Sequence, residues 1–387
     1  MKKVKKVKTL TQNELDLFNG LMKVTTDEDT KEAFYFKDST TTINGKEVTV
    51  RSWSYRLATW TMFTKPFAKE ARGTAFIVEN EKPIALFGRA YSKFFNLGEG
   101  VPKEDYMQDN KPIASYSKID GSLIVVGNID GEPFCKSKTS MTSEHAVLSN
   151  KLLKEDEELM YFVRSEHKAG FTPIFELVSP ELRIVLSYAK DELIYLGSVE
   201  NETGVVKYNP PKNHSTAEVF EYSWDELLDI QENCTDNIEG FVVLSEKGFC
   251  KVKTRSYVAK HHSKDNVTNM KNLVQVILND DLDDLLSLID DPVVTEFCEK
   301  VQNEVFSKFN TMTLQSRLYV FLNRSKPRKE IAQELKGNAI FSTVMKCLNV
   351  PDEDLEEAVE KNVRMVLEKN SRTETLAKNF FNIGFKG

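Results

Sequence analysis

Apolar positions change their spacing once along this chain, and the change divides it into two styles. From about residue 33 to 260 the texture is that of strands: Thr42–Arg51, Gly73–Val78, Ile84–Phe87, Pro112–Tyr116, Leu123–Gly127, Ile174–Val178, Leu193–Val199, Gly240–Leu244 and Phe249–Val252. Turn signals such as Asn44-Gly45, Asp130-Gly131 and Lys247-Gly248 separate them. A helix is expected ahead of this region, and one or two helices within it. Residues 11–23 carry Thr11 and Glu14 at capping-box spacing, with Leu15, Phe18 and Met22 on one face, and Ser143–Lys168 reads as a second helical stretch. After about residue 262 the period lengthens. Phe297, Val301, Val305 and Phe309 recur at every fourth position, as do Leu355, Val359, Val363 and Leu367, and Leu273, Val276 and Ile277 continue the style. Pro292, Pro327, Gly337 and Pro351 punctuate these helices. The pattern predicts an α+β fold: a domain of antiparallel sheets with inserted helices over 1–262, and an all-helical domain over 263–387. The strand–helix alternation of a doubly wound parallel sheet is missing.

Composition narrows the class. Forty per cent apolar and 29% charged residues suit a globular protein with room for separate cores in 387 residues. No stretch approaches the roughly 18 consecutive apolar residues of a membrane span. Lys2, Lys3, Lys5, Lys6 and Lys8 begin the chain, but no apolar segment follows, so a basic tail is expected in place of a secretory signal. Five widely spaced cysteines form no Cys-x-x-Cys pair, which points to a reducing, cytoplasmic setting with neither a disulfide framework nor a zinc site. A net charge of −7 speaks against a uniformly basic nucleic-acid binder and leaves open a local basic face. Arg324, Lys326, Arg328 and Lys329 form one such cluster, equally readable as a solvated helix start.

The chemistry concentrates at Lys118-Ile119-Asp120-Gly121-Ser122, read as a strand, a tight Asp-Gly turn and a second strand, with one lysine at the bend. A lysine of ordinary pKa, about 10.4, is a poor nucleophile; neighbouring cations that depress it allow attack on phosphorus or carbonyl carbon. Glu176 follows inside the apolar run Phe175-Glu176-Leu177-Val178, and a carboxylate buried there needs a partner. Glu239 opens the strand at Gly240, and Lys251-Val252-Lys253 comes next, with two ammonium groups at a spacing that turns both to one face. Two carboxylates can hold a divalent cation or ribose hydroxyls, and two lysines can neutralise phosphate charge. Each residue alone also has a structural reading: Glu176 paired with Arg183 or a lysine, Glu239 at a turn, Lys251 and Lys253 on a solvated face. No Gly-x-x-x-x-Gly-Lys-Ser/Thr loop is present, so a nucleotide site here is not of the P-loop type.

These four elements, in this order, resemble motifs I, III, IV and V of the covalent nucleotidyltransferases: DNA ligases, RNA ligases and capping enzymes. Ala71-Arg72-Gly73, Lys93-Phe94-Phe95-Asn96, Lys136-Ser137-Lys138, Asn237-Ile238-Glu239-Gly240 and the region of Tyr257 narrow the resemblance to the bacteriophage RNA ligase 1 family over nearly the whole chain. The resemblance implies that Lys118 attacks the α-phosphorus of ATP to form lysyl-AMP. It implies that Arg72, Lys93 and Lys138 contact ATP, that Glu176 lies near the ribose or a metal-bound water, that Glu239 is metal-associated, and that Lys251 and Lys253 grip phosphates. Tyr257 matches a tyrosine implicated in ligation. Trp53 falls where the family has a nucleotide-contacting tyrosine, with Tyr55 as the alternative. Asp283 and Asp284 match a paired aspartate linked to Mg²⁺, while Asp280–Asp284 also reads as an acidic helix start favoured by the helix dipole.

The implied activity is ATP-dependent joining of 5′-phosphate and 3′-hydroxyl RNA ends, with the helical domain selecting tRNA cut in its anticodon loop and a polynucleotide kinase–phosphatase preparing the ends. A monomer in the host cytoplasm is expected. A DNA ligase or capping guanylyltransferase shares the covalent lysine, but an oligonucleotide-binding barrel is not evident after Lys253. A non-catalytic RNA-binding protein on the same scaffold is the reading of a different class.

Overall fold

The computed structural model describes residues 10–43, 45–56, 58–182, 188–236, 238–261, 269–286 and 292–383. The lysines of the first eight positions, Asn44, Arg183, Asn237 and the domain boundary expected at 262/263 lie outside the described residues. The chain forms two compact units, Met1–Tyr257 and Val258–Gly387.

The first unit carries three sheets. Phe34–Ile43, Lys46–Tyr55, Ala75–Glu79 and Lys82–Gly88 make a four-stranded antiparallel meander. A second sheet has the order Val206–Lys207, Glu192–Glu200, Phe171–Val178, Ser122–Ile129, Glu132–Lys136. A third has the order Val219–Phe220, Pro112–Ser117, Gly240–Ser245, Gly248–Lys253, Phe95–Asn96. All pairings are antiparallel except Gly248–Lys253 with Phe95–Asn96, which is parallel. The hairpin at Asp130-Gly131 is as the sequence suggests, with φ of 53° and 93°, the primed-turn conformation that matches strand twist.

One expectation needs correction. The strands flanking Lys118 are not a hairpin: Pro112–Ser117 lies in the third sheet and Ser122–Ile129 in the second, so residues 118–121 cross from one sheet to the other. Gly121 is required here for clearance, because a Cβ at that position would sit 2.4 Å from the carbonyl oxygen of Leu177. The stretch 143–168 is two helices, Glu144–Glu155 and Glu157–Lys168. Asp156 leaves helical geometry (φ −114°, ψ 97°) and uses its carboxylate to accept from Leu159 N, which caps the second helix.

The first helix, Gln12–Val24, has the expected capping box, but its buried face is set by Leu17, Phe18, Leu21 and Val24, while Leu15 and Met22 are half-buried. Helix Trp224–Asn233 was not anticipated from spacing, although Ser223 and Glu226 form a capping box at its start. It covers the third sheet, where Leu227 packs with Phe241, Val243 and Val252.

The second unit has helices and no strand among its described residues, including Met270–Leu278, Leu282–Leu286, Pro292–Asn323, Arg328–Glu334, Phe341–Cys347, Leu355–Asn370 and Glu374–Phe381. Pro292 opens the 32-residue helix, where a missing N–H costs nothing, and Pro327 stands at the N-cap of the next. The four-residue repeats Phe297/Val301/Val305/Phe309 and Leu355/Val359/Val363/Leu367 are buried as their spacing predicts.

Candidate active site

The crossing segment brings Lys118 to a pocket lined from both the second and third sheets. Lys118 N donates to Gly240 O at 2.8 Å, which anchors the segment to the start of the neighbouring strand. Its Nζ lies 2.7 Å from Glu239 Oε1. Gly240 pairs with Lys253 across the hairpin, and Lys253 Nζ reaches the same oxygen at 2.8 Å. A Cβ on residue 240 would stand 2.1 Å from Val252 O, so the Glu-Gly dipeptide allows the two strands to close at this carboxylate. Thr254 N donates to Glu239 O at 3.0 Å and Thr254 Oγ1 to Ile238 O at 2.9 Å, fixing the far side.

Glu239 is almost wholly buried, and its second oxygen, Oε2, has no hydrogen-bond partner among the described residues. A buried carboxylate oxygen left open next to an ammonium group suits a divalent cation that arrives with an anionic ligand. Mg²⁺ characteristically takes one or two carboxylates and completes its shell with phosphates and water. No group of three or more His, Cys, Asp and Glu side chains placed to hold a metal by themselves occurs among the described residues.

Glu176 lies on strand Phe171–Val178 opposite Leu123 and lines the same pocket as Lys118, Arg72 and Lys251. Burial pushes its pKa up to about 7; the nearby Lys118 and Arg72 oppose that rise, and Glu239 and Asp120 add to it. Val242 and Lys251 are register partners and both face the pocket. The remaining wall is apolar and aromatic, chiefly Tyr91, Phe94, Tyr116, Tyr208 and Phe249. The cavity is narrow, about 120 Å³.

Asp120 is held from two sides. Tyr257 Oη donates to Asp120 Oδ1 at 3.0 Å, and Asp120 N donates to Tyr188 Oη at 3.2 Å. Burial raises the Tyr188 phenol to about 12. Tyr257 N donates to Thr254 Oγ1 at 3.3 Å, and Lys253 Nζ stands 5.5 Å from its ring, so Asp120, Lys253 and Tyr257 form one connected group.

A second group of cations gathers on Tyr55. Lys138 Nζ is 4.0 Å from the centre of that ring and Lys93 Nζ 5.5 Å. Trp53 takes no part in it: its side chain is fully buried, with ring centres of Phe18, Phe36 and Phe76 at 5.4, 6.0 and 6.0 Å. Of the two aromatic candidates, the structure places Tyr55 beside the lysines and Trp53 in the core. Trp53 still shapes the neighbourhood through its backbone, accepting from Gly73 N at 2.9 Å and donating to Thr74 O at 3.0 Å, which fixes the loop that carries Arg72.

Lys136 was quoted in the sequence only as part of a motif. It is fully buried, and its Nζ donates to Ser137 O at 3.2 Å and Lys138 O at 3.0 Å. Burial lowers its pKa to about 7. A neutral amine keeps two N–H donors, enough for both carbonyls, so the tie on the Lys138 loop survives loss of the proton. Neither Lys136 nor Tyr188 stands out in the sequence: the first alternates with Lys138 along a strand end, and the second follows residues remote from any motif.

Asp283 and Asp284 lie on the short helix Leu282–Leu286 of the second unit. In the basic cluster, Arg324 pairs with Asp352 at 2.9 Å, Lys326 with Glu334 at 2.9 Å, and Arg328 donates to Met345 O at 3.0 Å.

Comparison with known proteins adds the following. The model of a family described as RNA ligase matches residues 70–260, about half of the chain. A candidate RNA ligase from Thermovibrio ammonificans is 26% identical over 323 residues, covering 79% of this chain and 84% of its own. A candidate bifunctional polynucleotide kinase/RNA ligase from Autographa californica nuclear polyhedrosis virus is 28% identical over 251 residues, 58% of this chain and 35% of that longer protein. Among solved structures, a candidate ATP-dependent DNA ligase from Aquifex aeolicus aligns with a TM-score of 0.38 at 14% identity, over 78% of this chain and 81% of its own. A variant RNA ligase from Naegleria gruberi, solved with ATP and Mn, aligns with a TM-score of 0.34 at 12% identity, over 58% and 75%.

Proposed function

The chain belongs to the phage RNA ligase 1 family of the nucleotidyltransferase superfamily and is an ATP-dependent RNA ligase, and from that premise we propose that Lys118 is the residue that carries AMP. The observation that carries the proposal is the position of Lys118 Nζ, 2.7 Å from a buried carboxylate, in a pocket that also holds Arg72, Glu176 and Lys251. In the first step Nζ, freed of its proton, attacks the α-phosphorus of ATP. A P–N bond forms, the α–β phosphoanhydride bond breaks and pyrophosphate leaves. AMP then passes to the 5′-phosphate of an RNA end, breaking the P–N bond and making a 5′-5′ pyrophosphate. A 3′-hydroxyl attacks the former 5′-phosphate, closes the phosphodiester and releases AMP.

The residues divide this work by charge. Glu239 holds Lys118 in place and keeps Lys253 beside it. Arg72 and Lys251, which line the pocket, and Lys93 and Lys138 on Tyr55 supply positive charge where phosphates must lie; for such transfers, positioning and charge neutralisation provide most of the rate. Glu176, with a pKa near neutrality, can accept or offer a hydrogen bond to a ribose hydroxyl. A divalent cation, Mg²⁺ in this proposal, would neutralise the triphosphate with Glu239 among its ligands, and Asp283 and Asp284 are a further candidate pair. Tyr257 would keep Asp120 aligned beside the adenylate during sealing.

The physiological substrate proposed is tRNA broken in its anticodon loop, acting with a kinase–phosphatase that restores the ends, in the cytoplasm and as a monomer. The viral relative described as kinase and ligase in one chain supports such a pairing. No helix among the described residues is long and apolar enough to cross a membrane. The decisive experiment is incubation with α-labelled ATP and Mg²⁺ followed by mapping of the labelled peptide. Label on Lys118, lost in Lys118→Ala, is the expected result; label that persists in that variant would overturn the assignment.

A further inference from the structure

Beside the Lys118 pocket runs a second, wider groove of about 500 Å³. The two share a wall of Tyr91, Phe94 and Phe249. On its other sides stand Trp60, Phe95, Lys69, Lys93 and Lys247, and Glu99 is the sole acidic residue among those lining it. We propose that this groove seats the terminal nucleotides of a single-stranded RNA beside the reacting phosphate, an inference that rests on the RNA ligase reading above.

The aromatic part offers base platforms. Trp60 and Phe95 are half-buried, with ring centres 6.4 Å apart and planes inclined by 60°. Gly100 underlies Trp60 so closely that a Cβ there would stand 2.1 Å from the indole, so the ring rests on bare backbone. The cationic part tracks the same ring: Lys69 Nζ and Lys93 Nζ are each 5.4 Å from the centre of Phe95. Lys93 N donates to Lys69 O at 2.7 Å, which keeps the two lysines side by side. Lys247 is fixed by the carbonyls of Asp105, Tyr106 and Gln108, at 3.2, 3.2 and 2.7 Å. Glu99 is turned inward on Asn96, accepting from its N at 2.9 Å and its Nδ2 at 3.1 Å. Rings that accept any base and a row of ammonium groups are what a nucleic-acid strand requires without regard to sequence. Three cations against one engaged acid favour a polyanion over a basic or apolar peptide, the aromatic rings favour a strand that carries bases, and the shared wall brings any strand in the groove next to Lys118.

The test uses the full chain. Binding of a fluorescent, 5′-phosphorylated oligoadenylate 10-mer is measured by anisotropy for the wild type, Trp60→Ala/Lys69→Ala and Lys69→Glu, and transfer of AMP from ATP to the protein is measured in parallel. The double variant is expected to bind at least about tenfold more weakly, and Lys69→Glu to reduce the slope of log Kd on log salt by about 0.7 or more. Both should accept AMP at the wild-type rate within about twofold. Should the double variant fail to fold, Lys69→Glu, altered only at an exposed position, decides alone. Unchanged affinity overturns the groove, as does a loss of RNA binding matched by an equal loss of AMP transfer. A wild-type protein that binds the 10-mer in this groove yet takes no AMP would instead refute the function proposed for Lys118.

Discussion

Glu239 binds Lys118 at 2.7 Å through the same oxygen that binds Lys253, and the two lysines differ in exposure: 22% of the Lys118 side chain meets solvent against 7% for Lys253. The carboxylate therefore holds one buried cation and one that reaches the pocket. Removing Lys118 leaves a buried pair intact, whereas removing the charge of Glu239 breaks the buried pair with Lys253. Lys118→Ala should cost no more than about 1 kcal/mol in urea unfolding while abolishing AMP transfer. Glu239→Gln should cost about 3 kcal/mol as well as activity, because it breaks a buried ion pair. Equal stability losses in the two variants would contradict this division.

Gly121→Ala tests the crossing segment. The added methyl meets a backbone oxygen at 2.4 Å and the Glu176 side chain at 2.9 Å. Destabilisation of roughly 1–3 kcal/mol is expected, with AMP transfer reduced by more than tenfold since Lys118 and Glu176 both shift. Gly131→Ala is the control: its φ of 93° carries strain of about 1 kcal/mol but its surroundings are open, so activity should stay near wild type.

Glu176 and Lys136 give opposite pH signatures. Glu176 has a folded pKa raised to about 7 from 4.5. Between those values the folded protein holds a proton that the unfolded chain has lost, so this group's contribution falls as pH rises through that window. Lys136 has a folded pKa lowered to about 7 from 10.5. Between pH 7 and 10.5 the unfolded chain holds the extra proton, so stability rises with pH there. Unfolding measured across pH 5–10 should lose the first slope in Glu176→Gln and the second in Lys136→Met.

Lys136→Met also removes both donors that secure the Lys138 loop. The KM for ATP in AMP transfer should rise about five- to tenfold, near the worth of one or two hydrogen bonds, with the maximal rate less affected. In a Lys138→Ala background the same change should add little, since the tie would then hold a side chain without a charge. Full additivity of the two changes would show that Lys136 acts elsewhere.

Tyr257→Phe deletes one hydrogen bond to a carboxylate, worth about 1.5–3 kcal/mol. Sealing of a pre-adenylylated RNA should slow by at least about tenfold, as measured in single-turnover reactions without ATP. Wild-type sealing in this variant would exclude Tyr257 from the last step.

What could be read in the chain and what could not follow from one distinction. Periodicity reports which face of an element is buried, so strands such as Leu193–Val199 and the helical repeats after Pro292 were legible. Motif spacing also marked Lys118, Glu176, Glu239 and Lys251 as one set; Lys118, Glu176 and Lys251 line one pocket, and Glu239 is bonded to Lys118 beside it. Pairing partners are not written in local pattern: the strands on either side of Lys118 alternate as a hairpin would, yet each finds its neighbour in a different sheet. Trp53 illustrates the same limit, since strand alternation puts it on the same side as Tyr55 and only the packing of Phe18 and Phe76 withdraws it from the lysines. Lys136 was hidden for another reason. Lysine is rarely fully buried, and nothing short of its two carbonyl partners shows why this one is.

The passage of residues 118–121 between two sheets makes the backbone itself a tether for Lys118. Both ends of a four-residue strut are sewn into separate hydrogen-bonded layers, and glycines at 121 and 240 remove the slack that a methyl would require. The Cα of Lys118 on such a mount has little freedom to move, and a substitution that spreads the layers by the length of a hydrogen bond is expected to weaken AMP transfer without touching a charged residue.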